Sequence, residues 1–302
     1  MALIGKMHRQ NTPGILCLSI FLATFLFFRN AIALADSRND KPGPVSWPLH
    51  QAAQAGDLAL AEKLLASGSN VNAQNKWGIT PLYSAVFRNH PQMVAFLIEQ
   101  GADVNLADNE GLAPIHVSAL EDHLRLAQLL LNKGAEISLR DKYGYTPLHL
   151  AADQGSAKVA ALLAMESSNV NTQSKWGNTP LHASVAQGNL PLVKLLVGKG
   201  ARINAGDRLG RTPLHWIAEK GHIDVARFLI QKGGGLDITD GDGETPLHEA
   251  AKWDHKPIVK LFIAHGADVN AKGSDGRTPA HIAIAHGNAD IAQLLQSKGG
   301  TW

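Results

Sequence analysis

The chain has 302 residues, of which 45% are hydrophobic, and it carries 28 basic against 26 acidic residues. Its net charge of +2, with histidine neutral, provides no global field to hold nucleic acid or an anionic membrane, so we expect neither as a main partner. Its single cysteine, Cys17, excludes a disulfide within the chain.

The first 35 residues differ in composition from the rest. Lys6 and Arg9 precede an uncharged apolar run, Ile15 to Phe28, and the small residues Ala33 and Ala35 flank a cleavage site before Asp36. This order predicts a secretory signal peptide at residues 1–35. The apolar run is shorter than the roughly 20 residues of a spanning helix. An uncleaved membrane anchor remains the alternative.

Cleavage changes the charge and the thiol content of the protein. It removes Lys6, Arg9 and Arg29 without any acidic residue, leaving 25 basic against 26 acidic residues, and it removes Cys17 as well. We therefore expect a secreted or periplasmic protein that has no membrane contact after cleavage. Residues 36–44 are rich in polar residues, proline and glycine, and this composition predicts a linker.

The remainder of the chain is organised by the tetrapeptide Thr-Pro-Leu-His, complete at Thr146–His149 and three further times. Counting weaker copies, its proline recurs every 33 residues, at 48, 81, 114, 147, 180, 213, 246 and 279. A fixed period of this length predicts a stacked repeat array. Thr offers a side-chain oxygen to the free amides of a helix start, and Pro suits the first helical position.

Three further series of residues divide each repeat. Eight residues after the proline stands glycine, asparagine or aspartate, types that tolerate a left-handed backbone and predict the end of the first helix. A second apolar helical pattern ends at glycines 68, 101, 134, 200, 233, 266 and 299, with Ser167 as the exception. A third glycine series, at 78, 111, 144, 177, 210, 243 and 276, predicts a turn of a β-hairpin.

In these motifs the sequence resembles the ankyrin repeat family, over about residues 41–302. The resemblance implies an all-α solenoid of eight helix pairs, each with a β-hairpin loop, forming a domain at 45–302. The repeats fall near 45–74, 75–107, 108–140, 141–173, 174–206, 207–239, 240–272 and 273–302. The first and last repeats are expected to act as caps.

Histidine recurs two residues after the proline in seven of the eight copies. One histidine per repeat forms a ladder with steps of about 10 Å, which cannot converge on one metal ion. The resemblance implies that these side chains bond to backbone and tie the repeats together. No catalytic or phosphate-binding motif is present, so we predict no enzyme, no metal site and no cofactor; a metal-binding accessory is the distant alternative.

Two sets of residues lie at positions that packing does not fix. At the predicted hairpin tips, a cation stands beside a large apolar residue in four repeats, which suggests a contact strip: Lys76–Trp77, Lys142–Tyr143, Lys175–Trp176 and Arg208–Leu209. Alternatively, each aromatic residue packs on the adjacent hairpin. The resemblance also implies a concave groove lined by the carboxyl ends of the first helices, where the sequence offers Lys220, Lys252, Trp253 and His286. Trp216 is expected to be a packing residue.

Two local irregularities predict that repeats three and four are the least stable part of the array. Ala113 replaces the capping threonine, and Ser167 is expected to take the backbone that glycine takes freely in the other repeats. Alternatively, the interfaces with neighbouring repeats compensate for both.

The pattern as a whole favours protein recognition, because a solenoid gives a rigid, extended surface. We expect a monomer that binds, scaffolds or inhibits a protein partner. Two narrower alternatives follow from export: a membrane-tethered scaffold, and an accessory or immunity protein that protects an envelope enzyme or neutralises a toxin.

Overall fold

The computed structural model describes residues 47–302. The predicted signal peptide, the linker and the first two residues of repeat one lie outside the described residues. Within residues 47–302 there are sixteen helices, two in each repeat, and no strand. They are α1 Pro48–Ala55, α2 Leu58–Ala66, α3 Pro81–Phe87, α4 Pro91–Glu99, α5 Pro114–Leu120, α6 Leu124–Asn132, α7 Pro147–Gln154, α8 Ala157–Glu166, α9 Pro180–Ala186, α10 Leu190–Gly198, α11 Pro213–Lys220, α12 Ile223–Gln231, α13 Pro246–Lys252, α14 Lys256–Ala264, α15 Pro279–Ala285 and α16 Ala289–Ser297.

Each first helix begins at the proline of its repeat, as the motif predicts, but in repeats four to seven the threonine cap differs from the prediction. In repeat four the backbone N–H of Thr146 donates to Nδ1 of His149 at 3.2 Å, and the Thr146 hydroxyl lies 2.8 Å from the same nitrogen. The hydroxyl thus bonds the imidazole instead of a helix amide. In repeat two, where Tyr83 replaces histidine, the Thr80 hydroxyl does accept the amide of Tyr83, at 3.0 Å.

The end of each first helix confirms the prediction from residue type. The residue at this point has positive φ in all eight repeats, including the three that are not glycine: Asn89, Asp122 and Asp254, at 57°, 54° and 60°. The chain reverses here and enters the second helix within two residues.

The core is a continuous stack between the helices of successive repeats. First helices pack on first helices and second helices on second helices. One position of the second helix is almost completely buried in seven consecutive repeats, and it holds Leu97, Leu130, Leu163, Leu196, Leu229, Phe262 and Leu295. Because the second helices of successive repeats pack on one another, the repeats depend on their neighbours for a core.

The predicted β-hairpins are tight turns without strands. In each turn a backbone N–H returns to the carbonyl four residues later, as from Asp141 to Tyr145 at 2.9 Å. A single backbone bond then links each turn to the next, for example from the N–H of Lys175 to the carbonyl of Tyr143 at 2.8 Å. One bond per neighbour is too few to form a strand. The third-series glycines have φ between 72° and 84°, as expected.

The backbone expected at Ser167 was wrong. The corresponding glycines of the other repeats have positive φ, whereas Ser167 is extended, with φ −74° and ψ 130°. Helix α8 continues to Glu166, one residue beyond the point at which the other second helices end. A side chain with a Cβ disfavours the left-handed region, so repeat four leaves its second helix by a different path.

Candidate functional site

The histidine ladder serves to join the repeats, as the resemblance implies. In repeat four, Nδ1 of His149 accepts a backbone N–H, so the proton lies on Nε2, which is 3.1 Å from the carbonyl of Asn178 in the next repeat. The same contact to the residue 29 positions later is made by His50, His182, His215 and His248, at 2.8–3.2 Å. Burial lowers the pKa of His149 to about 4, so the ring is neutral at pH 7.

The first turn of the array presents Lys76 and Trp77. The ammonium of Lys76 lies 4.3 Å from the centre of the Trp77 ring, within the range of a cation–π contact. Trp77 is half-buried and Lys76 is exposed. The next turn has Asn109 and Glu110 at the equivalent positions, so no aromatic ring stacks on Trp77 from that side.

The turns of repeats four and five form an aromatic cluster. The rings of Tyr143 and Trp176 stack with centroids 5.4 Å apart and planes at 26°, and Tyr145 lies 5.6 Å from Trp176. Packing on the adjacent turn, the alternative weighed from the sequence, is therefore present here. Tyr143 and Trp176 are nonetheless only half-buried, so part of each ring faces solvent.

The cations beside this cluster differ in their pairing. Lys142 forms an ion pair with Glu110 of the preceding turn, and this bond raises the pKa of the lysine. Lys175 and Arg208, in the two following turns, are exposed and have no ion pair within residues 47–302. The edge of the array formed by the successive turns is called the turn edge below. In repeats four to six it offers two uncompensated positive charges, Lys175 and Arg208, next to a partly exposed aromatic stack.

The second set of predicted residues, toward the carboxyl ends of the first helices, is held by local contacts. The indole Nε1–H of Trp253 donates to Oε2 of Glu249 at 2.8 Å, and Lys252 lies 3.5 Å from the other oxygen of the same carboxylate. Lys220 pairs with Glu219 at 3.0 Å. His286 is exposed, and its Nδ1 lies 2.9 Å from the carbonyl of Ile282.

A buried ionic network behind these residues escaped the sequence analysis. Arg211 pairs with Asp207 at 3.1 Å and approaches Glu219 to 3.7 Å, with all three side chains less than a tenth exposed. Trp216 is buried against it, donating Nε1–H to Asp207 at 3.1 Å, so its predicted packing role is confirmed. One signal was available: the residue before the motif threonine is apolar or aromatic in repeats two to four and charged at Arg211.

Three carboxylates also meet in repeat seven. Oxygen atoms of Asp240, Glu244 and Glu249 lie within 4.8 Å of one another, the one group in the described part of the chain with ligand atoms this close. Asp240 already accepts the amides of Asp242 and Glu244, and Glu249 binds Trp253 and Lys252. These bonds explain Asp240 as a turn residue and Glu249 as part of a local helix network.

The fold and these surfaces define a repeat-built scaffold in which most ladder histidines bond to the next repeat and the turns project partly exposed side chains. The family described as Ankyrin repeats (3 copies) matches residues 49–141, 108–174, 148–240 and 233–301. These matches cover most of the chain, and the chain belongs to the ankyrin repeat family. Proteins of this family are typically non-enzymatic modules that bind other proteins. No curated protein matches the sequence.

The described helices were also compared with the dimensions of a bilayer. Across residues 47–302, none combines the length and the apolar character that crossing a membrane requires.

Proposed function

We propose that this protein is an exported, monomeric module that binds one protein partner along its turn edge. The observation that carries the proposal is the pair of uncompensated cations, Lys175 and Arg208, beside the stacked rings of Tyr143 and Trp176. The partner segment presents carboxylates to the two cations and an apolar or aromatic side chain to the exposed part of Trp176.

Charge and geometry support this assignment. Of the acidic residues at the turn tips, Glu110 is paired with Lys142, and Asp242 and Asp275 stand in later repeats, so an acidic partner segment is attracted to Lys175 and Arg208 and repelled from repeats seven and eight. Tyr143 and Trp176 stack on each other before any partner arrives. A side chain already held in place loses little conformational entropy on binding, which favours such a pair as an anchor.

The test is capture of the partner from the native envelope fraction, using wild-type protein and surface variants. Lys175→Glu/Arg208→Glu is expected to abolish capture, and Trp77→Ala/Trp176→Ala to weaken it. Lys260→Glu, at an exposed lysine of a second helix, serves as the matched control and should capture normally. Capture that survives the double charge reversal would contradict the proposed edge; loss on Trp253→Ala alone would transfer the site to the groove.

Export is a separate part of the proposal and rests on the order of charges, apolar run and small residues at positions 1–35. Signal peptidase acting after Ala35 produces a mature protein that begins at Asp36. Mass spectrometry of the amino terminus in the native host distinguishes the possibilities. A terminus at Asp36 supports export with cleavage, and an intact Met1 on membrane-bound protein supports a tethered scaffold instead.

A further inference from the structure

Apart from bonds beside the turns, such as the one that Arg140 donates to the carbonyl of Gln173 at 2.5 Å, three kinds of side-chain bond recur between successive repeats. The first is the histidine contact described above, from Nε2 to a carbonyl 29 residues later. The second starts from an asparagine after the second helix: Asn171 donates to the carbonyl of Gly200 at 2.9 Å and accepts the amide of Arg202 at 2.8 Å. The third comes from the residue before the second helix, as when His222 bonds the carbonyl of Ala186 at 3.0 Å.

All three bonds are missing at one junction of the described array, that between repeats three and four. Nε2 of His116 faces the carbonyl of Tyr145 in the next repeat but does not reach good hydrogen-bond geometry with it, unlike the other histidines of the ladder that bond across. Ser138 replaces the asparagine and Ser156 replaces the residue before the second helix, and neither side chain bonds across to the other repeat. Each other junction in residues 47–302 keeps at least two of the three.

The junction between repeats two and three lacks only the histidine of the three kinds of bond. Between repeats two and three, Tyr83 stands in the histidine position, and its hydroxyl interacts with the carboxylate of Asp108 in the next repeat. Asn105 and His123 complete that junction, bonding to Gly134 and Val86. Loss of the histidine alone therefore does not leave a junction unbonded.

Packing around the junction between repeats three and four is also incomplete. A cavity of about 120 Å³ lies there, lined by Ser138, Ser167 and Ser168 among others. Buried polar atoms without a partner concentrate in the same part of the array, at Oε1 of Glu121 and Oδ2 of Asp141 in addition to the His116 nitrogen. Unpaired buried groups and cavities both favour opening, because opening gives these groups access to water.

The turn side of this junction remains joined. The amide of Lys142 donates to the carbonyl of Glu110 at 2.8 Å, and the side chains of the same two residues form an ion pair. We propose that this junction is a hinge. Repeats one to three rotate against repeats four to eight about the joined turns, and the helices of repeat three separate from those of repeat four. The motion changes the curvature of the groove while the turn edge stays continuous.

Distances between spin labels test the hinge directly. With Cys17→Ser, the chain has no other cysteine, so pairs of engineered cysteines can be labelled cleanly. Gln128→Cys/Ala161→Cys spans the proposed hinge between α6 and α8. Lys194→Cys/Arg227→Cys spans the junction between repeats five and six at the equivalent positions and serves as control. The hinge predicts a clearly broader distance distribution for the first pair.

A repair variant carries Ala113→Thr, Ser138→Asn, Ser156→Asn and Ser167→Gly: the two asparagines supply missing bonds, and the other two changes restore the cap and the glycine of the other repeats. Asparagine is chosen at 156 because Asn288, which follows Asp254 as Ser156 follows Asp122, bonds the carbonyls of Ala251 and Lys252 at 2.8 and 2.9 Å. Repair should narrow the distribution across the hinge to that of the control pair. It should also slow amide hydrogen exchange in α6 and α8 by about tenfold or more, while exchange in α12 stays unchanged.

A converse variant keeps the proposal testable if the repaired protein fails to fold. Asn204→Ser/His222→Ser removes two of the three bonds at the junction between repeats five and six, and it should broaden the control distribution. Equal widths for both pairs in the wild-type protein would overturn the hinge, as would a repaired protein with unchanged width. A control pair that stays narrow in the converse variant would show that these bonds do not set the flexibility.

Discussion

The buried histidines make the stability of the array depend on pH in a way that one substitution isolates. Burial lowers the pKa of His149 from 6.5 to about 4, because its ring lies among apolar atoms and its Nδ1 faces a backbone N–H that repels a second proton. The unfolded chain therefore takes up a proton first as the pH falls. The contribution of His149 is fully present above about pH 6.5 and is lost between 6.5 and 4.

The magnitude follows from the two pKa values. Between about pH 7.5 and about pH 4.5, protonation of His149 in the unfolded chain alone costs the fold about 2.5 kcal/mol. His149→Gln keeps an N–H donor but cannot titrate in this range. At pH 7.5 the variant is expected to be less stable than the wild type by about 1–2 kcal/mol, from imperfect packing and hydrogen bonding. Near pH 4.5 the difference should vanish or reverse.

Urea unfolding followed by circular dichroism at both pH values gives the two differences. Comparing variant with wild type is necessary because burial raises the pKa of Asp141 to about 6 and that of Asp153 to about 7, so these carboxyls stabilise the fold as the pH falls. Their effect is common to both proteins and cancels. A stability difference that does not change with pH would refute the neutral, Nε2-protonated assignment for His149.

Three further substitutions, measured by urea unfolding, test how much a turn glycine, the buried ion pairs and a core side chain contribute to stability. Gly177→Ala should destabilise by more than about 1 kcal/mol, because φ is +80° and the new Cβ would lie 2.7 Å from the amide of Arg208; Gly68→Ala, at similar φ with open space, is the control and should cost less. Arg211→Met leaves the buried Asp207 carboxylate without its counter-ion, while Glu219 keeps Lys220, and should cost about 3–5 kcal/mol. Phe262→Ala empties a fully buried site and should cost about 3–5 kcal/mol. A loss below about 1 kcal/mol for either of the last two would contradict the packing described.

Helix boundaries could be predicted from the sequence because they depend on local chemistry. Proline fixes φ at the first helical position, and glycine, Asn89 or Asp122 can adopt the left-handed backbone at the reversal. The cap and the turns could not be predicted in the same way. The Thr146 hydroxyl bonds the imidazole three residues later, whereas the Thr278 hydroxyl bonds both the equivalent imidazole and the helix amide. The absence of strands in residues 47–302 depends on how many bonds each turn makes with the next.

The surface residues were harder to interpret, because the period reveals where side chains are free and not what holds them. Trp253 illustrates this point: its indole is fixed by Glu249, one helical turn earlier, so it belongs to a local network as much as to a groove. The spacing of four residues between Glu249 and Trp253 was visible in the sequence. It gained meaning only once the structure showed that the Glu249 carboxylate is buried and bonds the indole.

The position of the proposed hinge has a consequence for recognition along the turn edge. Trp77 lies in repeat two, on one side of the hinge, whereas Tyr143 and Trp176 stack across repeats four and five on the other side. A partner that contacts only the stacked pair meets a preorganised surface and is insensitive to hinge motion. A partner that also reaches Trp77 must select one hinge angle, so its affinity falls in proportion to the population of that angle. The aromatic residues of this edge therefore form two units, and the hinge determines whether a single partner can use both.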